Sequence, residues 1–109
     1  MDDQSAGVVR VQLDGGCVLI SVVGEFDMRL HDSFVQAVER GGGDVVVDLS
    51  ETTFLDSSGL RSLLAGQRDA HRRGSRLIVD RASDLARTSI EVCGLAEHLA
   101  LDRPVVEAG

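Results

Sequence analysis

The stretch Phe54-Leu55-Asp56-Ser57-Ser58-Gly59-Leu60, preceded by the apolar run Val45-Val46-Val47-Asp48-Leu49, decides how this chain folds. Three consecutive valines suit a strand buried on both faces. After the serines, Leu60, Leu63 and Leu64 mark one face of a helix. Asp56, Ser57 and Ser58 therefore stand where a loop leaving a strand opens a helix. A helix start leaves backbone N–H groups unpaired and carries positive partial charge. It seats anionic groups readily, a serine-linked phosphate included. At its simplest the stretch is a cap, since Asp and Ser are favoured there and stabilise a helix by about 1 kcal/mol.

Working outward, Val9, Val11 and Leu13 alternate with Arg10 and Gln12, the period of a half-exposed strand. Asp14-Gly15-Gly16 is a turn at hairpin spacing, and Cys17 to Val23 reads as a more buried strand. Gly24-Glu25-Phe26-Asp27 ends that strand, with Asp27 placed to cap the helical segment after it. Leu30, Phe34, Ala37 and Val38 form a helical stripe that stops at Gly41-Gly42-Gly43. Asp44 to Leu49 is the next strand. Arg68, Arg72 and Arg73 suit the end of the second helix, and Gly74 its exit. Arg76 to Asp80 is a further buried-type strand. Ser83 caps a third helix from about 84 to 93, and Leu99 to Leu101 suggests a short last strand.

Strands alternating with helices require crossovers, so the predicted fold is α/β. Its mixed sheet has an antiparallel N-terminal hairpin, then parallel β-α crossovers, packed with about three main helices. The 109 residues suit one domain, with an ordered core over about 8–102 and tails at 1–7 and 103–109.

Composition narrows the function. Eighteen acids against 11 bases give a net charge of −7, and the aromatics are three phenylalanines. Nucleic-acid binders need cations for phosphates and rings for unpaired bases, so this balance argues against one. It favours a partner with a basic docking surface. No apolar run approaches the ~20 residues of a membrane span, and the acidic start Met1-Asp2-Asp3 is unlike a signal peptide. The expectation is a cytoplasmic protein, monomeric when free and without membrane insertion. Cys17 and Cys93 form no CxxC, and His31, His71 and His98 stand singly, so neither metal nor cofactor is expected.

Chemistry at the serine loop has three readings. A nucleophilic serine needs a base and an oxyanion hole, and the G-x-S-x-G elbow is absent because Asp56 occupies the first glycine's place. A phosphate cradle needs more glycines and a lysine, so neither a P-loop nor GxGxxG is present. Covalent modification needs only an accessible hydroxyl. Residues alone do not separate Ser57 from Ser58.

The Gly24-Glu25-Phe26-Asp27 turn, the Val45–Leu49 strand and Asp56-Ser57-Ser58-Gly59-Leu60 resemble the STAS domain of bacterial anti-sigma factor antagonists. Arg76-Leu77-Ile78-Val79 and Cys93-Gly94-Leu95 extend the resemblance over roughly residues 8–102. It implies a non-enzymatic binding switch. The unphosphorylated protein would hold an anti-sigma factor that is also a serine kinase, releasing the sigma factor. Phosphorylation at Ser58 would switch it off, and a phosphatase would reset it. The partner-binding surface implied is Asp27, Asp56, Ser57, Ser58, Gly59, Leu60 and Arg61. Arg61 departs from the family, where a small or apolar residue is common, and so does Ser89, where a larger apolar one is. The rival readings are a STAS subunit of a membrane transport complex or stress-signalling assembly, and a small nucleotide-binding protein.

Overall fold

A computed structural model describes residues 6–101. The tails expected at 1–7 and 103–109 fall mainly outside those residues. Strands β1 (Val8–Asp14) and β2 (Cys17–Phe26) form the opening antiparallel hairpin. Gly15 and Gly16 join them with φ of 58° and 94°. A two-residue turn with both φ values positive follows the twist of the strands, and glycine takes that conformation without strain.

Beyond a 3-10 turn at Met28–Leu30 the chain forms α1 (His31–Val38), then β3 (Val45–Leu49). It continues as β4 (Thr52–Leu55), α2 (Ser57–Arg72), β5 (Leu77–Ala82) and α3 (Asp84–Val92). The strand order is β1-β2-β3-β5, with β4 also on β2. Past the hairpin every pairing is parallel, the mixed sheet that the crossovers require.

Between α1 and the serines the sequence shows one strand; the structure has two. β3 pairs with the first half of β2 (Val18↔Val45 to Ser21↔Asp48), and β4 pairs with the second half (Gly24↔Thr52 to Phe26↔Leu55). The register shifts between Gly24 and Glu25, where Gly24 has φ 92°. Thr52, 1% exposed, donates its hydroxyl to the Val22 carbonyl at 2.8 Å and ties the added strand down. Thr52-Thr53-Phe54-Leu55 is too short to show a period of its own. Leu99–Leu101 forms turns and no strand. Leu99 is fully buried, and its carbonyl accepts from Val79 N–H at 3.0 Å, covering the outer edge of β5 with one bond.

The core lies between the sheet and the helices. Val18, Ile20, Val22, Val45, Val47 and Val79 meet Phe34, Val38, Leu63 and Ala70. The Phe26 and Phe34 rings are 5.2 Å apart. α2 lies close on α1 because residue 66 is glycine: a Cβ there would come within 2.9 Å of Phe34 and 3.0 Å of Val38. Arg73, near the end of α2, donates to the carbonyls of Val38 and Gly43 at 3.1 and 3.2 Å, closing the far end of the helix pair. The opposite sheet face carries Arg10, Gln12, Leu19, Ser21, Val46 and Asp48, which line a shallow concavity.

Candidate functional site

The pairing of Phe26 with Leu55 carries β2 and β4 in parallel to adjacent ends, so the next residues, Asp27 and Asp56, leave the sheet side by side. Each caps the helical turn that comes after it. Their closeness is chemical as well: the charge of Asp27 opposes ionisation of Asp56.

Asp27 accepts the Arg29 backbone N–H at 2.9 Å. The Arg29 guanidinium folds back onto it, with Nε at 3.1 Å and Nη2 at 2.8 Å, and reaches Glu25 at 2.9 Å. The Arg29 side chain is the main cause that holds the Asp27 carboxyl below the usual carboxylate range, with its backbone N–H adding to the effect. Asp56 Oδ1 takes three donors: the Ser58 hydroxyl at 2.7 Å and the N–H groups of Ser58 and Gly59, both at 3.0 Å. The Ser58 hydroxyl is the largest cause lowering the Asp56 pKa, and it outweighs desolvation and Asp27.

The two serines, alike in the sequence, differ in place. Ser57 is exposed; Ser58 is half-buried, with its hydroxyl bound to Asp56. Gly59 is the point of closest approach between α2 and the β2 turn. A Cβ at 59 would stand 2.4 Å from the Phe26 carbonyl oxygen and 2.6 Å from Leu55 Cδ1. Leu60 is buried and Arg61 exposed. Of the seven residues singled out in the sequence, Asp27, Asp56, Ser57, Ser58 and Arg61 thus lie at or near one surface. Gly59 and Leu60 support it from beneath.

Other participants carried no sequence signal. Ser62, fully buried, donates to the Ser58 carbonyl at 3.1 Å, and its Oγ lies 2.7 Å from His31 Nδ1. With the hydroxyl proton on that carbonyl, His31 Nδ1 is the donor to Ser62. The first residue of α1 is thereby tied to the first turn of α2. On the other side, Leu55, Asp56, Ser57 and Leu60 face Thr88, Ser89, Val92 and Cys93 of α3 across an open groove. Val92 on its rim is 79% exposed, and Met28, beside Asp27, is 73% exposed.

The chemistry available here is limited. Nucleophilic catalysis needs a base of matched pKa on the hydroxyl. The Ser58 hydroxyl meets a carboxylate whose pKa is lowered, which makes it a weaker base, and the His31 Nδ1 is engaged by Ser62. Among the described residues, no three His, Cys, Asp or Glu side chains cluster to hold a metal, and no helix is long and apolar enough to cross a membrane.

Solved structures share this architecture. An anti-sigma factor antagonist from Mycobacterium paratuberculosis superposes with a TM-score of 0.75 at 24% identity, over 96% of this chain and 92% of that one. The anti-sigma factor antagonist SpoIIAA in its unphosphorylated form gives 0.70 at 21%, over 83% and 84%. The phosphorylated form of the Bacillus cell fate determinant SpoIIAA gives 0.64 at 20%, over 83% and 86%. At these identities the likeness shows the fold. No curated protein sequence matches this chain. A family model described as "Mlab, STAS domain" matches residues 9–106, nearly the whole length, and with that match the chain belongs to the STAS domain family.

Proposed function

We propose that this chain is a non-enzymatic anti-sigma factor antagonist. In the unphosphorylated state it binds an anti-sigma factor with serine kinase activity and so frees the sigma factor. The kinase transfers the γ-phosphoryl group of ATP to Ser58 Oγ. The new O–P bond replaces the bond to ADP, and the hydroxyl proton is lost. A phosphatase returns the serine. The observation that carries the reading is the placement of Ser58. Its hydroxyl sits at the start of α2 on Asp56, beside Asp27, in a fold shared with antagonists solved in both phosphorylation states.

The electrostatics suit a switch. A phosphoserine adds about −1.5 to −2 charges. Here they arrive next to two carboxylates held ionised, on a chain of net charge −7. The unmodified surface offers a hydroxyl and half-buried carboxylates to a basic partner. The modified one adds a dianion whose desolvation and misplaced charge oppose docking. A switch of two to four decades needs about 3–5 kcal/mol. Removing a buried hydrogen bond and desolvating a dianion that the interface does not pair can together supply it.

The test is affinity capture from the protein's own cell extract, with wild type, Ser58→Ala and Ser58→Asp as baits. Wild type and Ser58→Ala retain a kinase-type anti-sigma factor; Ser58→Asp loses it by about 100-fold or more. With that partner and ATP, one phosphopeptide appears, and it contains Ser58. Equal retention by Ser58→Asp, or capture of transporter subunits in place of a kinase, overturns the reading.

A further inference from the structure

We infer that Arg61 is an intramolecular clamp for a phosphate on Ser58, an inference that rests on Ser58 as the phosphoacceptor. Arg61 follows Ser58 by three residues in α2, so the two share a face one turn apart. Helical side chains lean toward the N-terminus, and a long one covers the turn before its own Cα. The Arg61 side chain is therefore within reach of the surface over Ser58. The other neighbour on the next turn, Ser62, points inward and is fully buried.

Arg61 is exposed and uncommitted. Among the described residues it makes no hydrogen bond or ion pair. Arg29, the cation of the adjoining turn, is already bound to Asp27 and Glu25.

Phosphorylation creates the need for a clamp. The Ser58 hydroxyl donates to Asp56 Oδ1 at 2.7 Å. Esterification removes that hydrogen and leaves two electron-rich oxygens in contact, one of them on a carboxylate. The phosphoseryl side chain must turn away from Asp56 and from Asp27 beside it. The way out runs along the exposed face of α2, where a guanidinium offers the paired N–H groups that match phosphate oxygens. The clamp folds the phosphate onto its own helix, offsets part of its charge and leaves an occupied surface where the Ser58 hydroxyl had met Asp56.

The experiment installs phosphoserine at position 58 during translation and follows its 31P resonance from about pH 4 to 8, across the second phosphate ionisation. With Arg61 present, the midpoint lies about half a unit below that of the Arg61→Gln phosphoprotein. Arg61→Lys recovers only part of the difference, because a point charge replaces the fork. Asp56 at the cap, Asp27, Glu25 and Arg29 on the β2 turn, His31 from α1 and Cys93 from α3 are common to all three proteins, so their effects cancel. The gap between wild type and Arg61→Gln narrows in about 1 M NaCl, where the screening length is about 3 Å. Equal midpoints for wild type and Arg61→Gln overturn the clamp. No kinase takes part, so a chain never phosphorylated in its cell would defeat the proposed function while leaving this titration unchanged.

Discussion

Asp56 carries three donors on a single oxygen, and that concentration has a consequence for stability. Folding lowers the Asp56 pKa. The carboxylate thus favours the folded chain at every pH above its unfolded value of about 3.9, and the contribution is lost as pH falls through the lower folded value. Asp56→Ala removes the cap and costs about 1 kcal/mol at neutral pH, roughly 4–8 °C in melting temperature. Asp56→Asn keeps an acceptor oxygen without the charge. Its melting temperature falls below wild type at pH 7, and the two curves converge as pH falls through the lowered folded pKa and wild-type Asp56 takes up its proton. Thermal melts across that range check the point. A constant gap would mean that the cap works through its shape alone.

α2 is pressed against its surroundings at two glycines, and the partners differ. At Gly59 the obstacle is the Phe26 backbone carbonyl, 2.4 Å from an added Cβ; at Gly66 it is the ends of Phe34, Val38 and Leu77, at 2.9 to 3.1 Å. Side chains can shift by tenths of an ångström, whereas a paired strand cannot. Gly59→Ala is expected to cost about 3 kcal/mol, at the upper end of overpacking, and Gly66→Ala about 1 kcal/mol. Urea unfolding at constant m-value measures both. Gly59→Ala should also weaken partner binding, because it lifts Ser58 away from Asp27; equal costs at the two sites would contradict this account.

The same elements show what the sequence could tell. Val45–Leu49, the Gly15-Gly16 turn and the Ser83 cap of α3 were legible because each follows a local rule of period, turn or cap. β4 was not, since four residues hold too little pattern and become a strand only when β2 continues past Gly24 to receive them. The site divides in the same way. A cap at Asp27 and one within Asp56-Ser57-Ser58 follow from local residue preferences, whereas a shared docking surface is what the family resemblance implies. The bridge from His31 to Ser62 and the α3 wall of the groove span about thirty residues of chain, and they exist only after the strands are in register.

Taken whole, the molecule has two unlike faces. The serine end of α2, with Asp27 and the α3 groove, joins carboxylates to exposed Met28 and Val92. The bare sheet face carries both signs of charge, with Arg10 and Arg81 near Asp48 and Asp80. In the proposed role, a chain of net charge −7 would attract a basic partner from a distance, and the carboxylates at the α2 end would orient it on arrival. Association should therefore be fast at low salt and slow by about tenfold or more between 50 and 500 mM NaCl, as the screening length falls from about 14 to about 4 Å. Dissociation should change much less, since it reports the close packing around Ser58. Stopped-flow mixing with the captured anti-sigma factor separates the two rates. Arg10→Ala and Ser21→Ala on the sheet face should leave the dissociation rate within about twofold of wild type, as expected for residues outside an interface. Asp27→Ala should raise it by about tenfold or more, through the loss of a charge that faces the partner and of the acceptor that holds Arg29. A dissociation rate that responds to the sheet face and ignores Asp27 would place the docking surface on the other side of the molecule, and Ser58 would then have no direct part in controlling it.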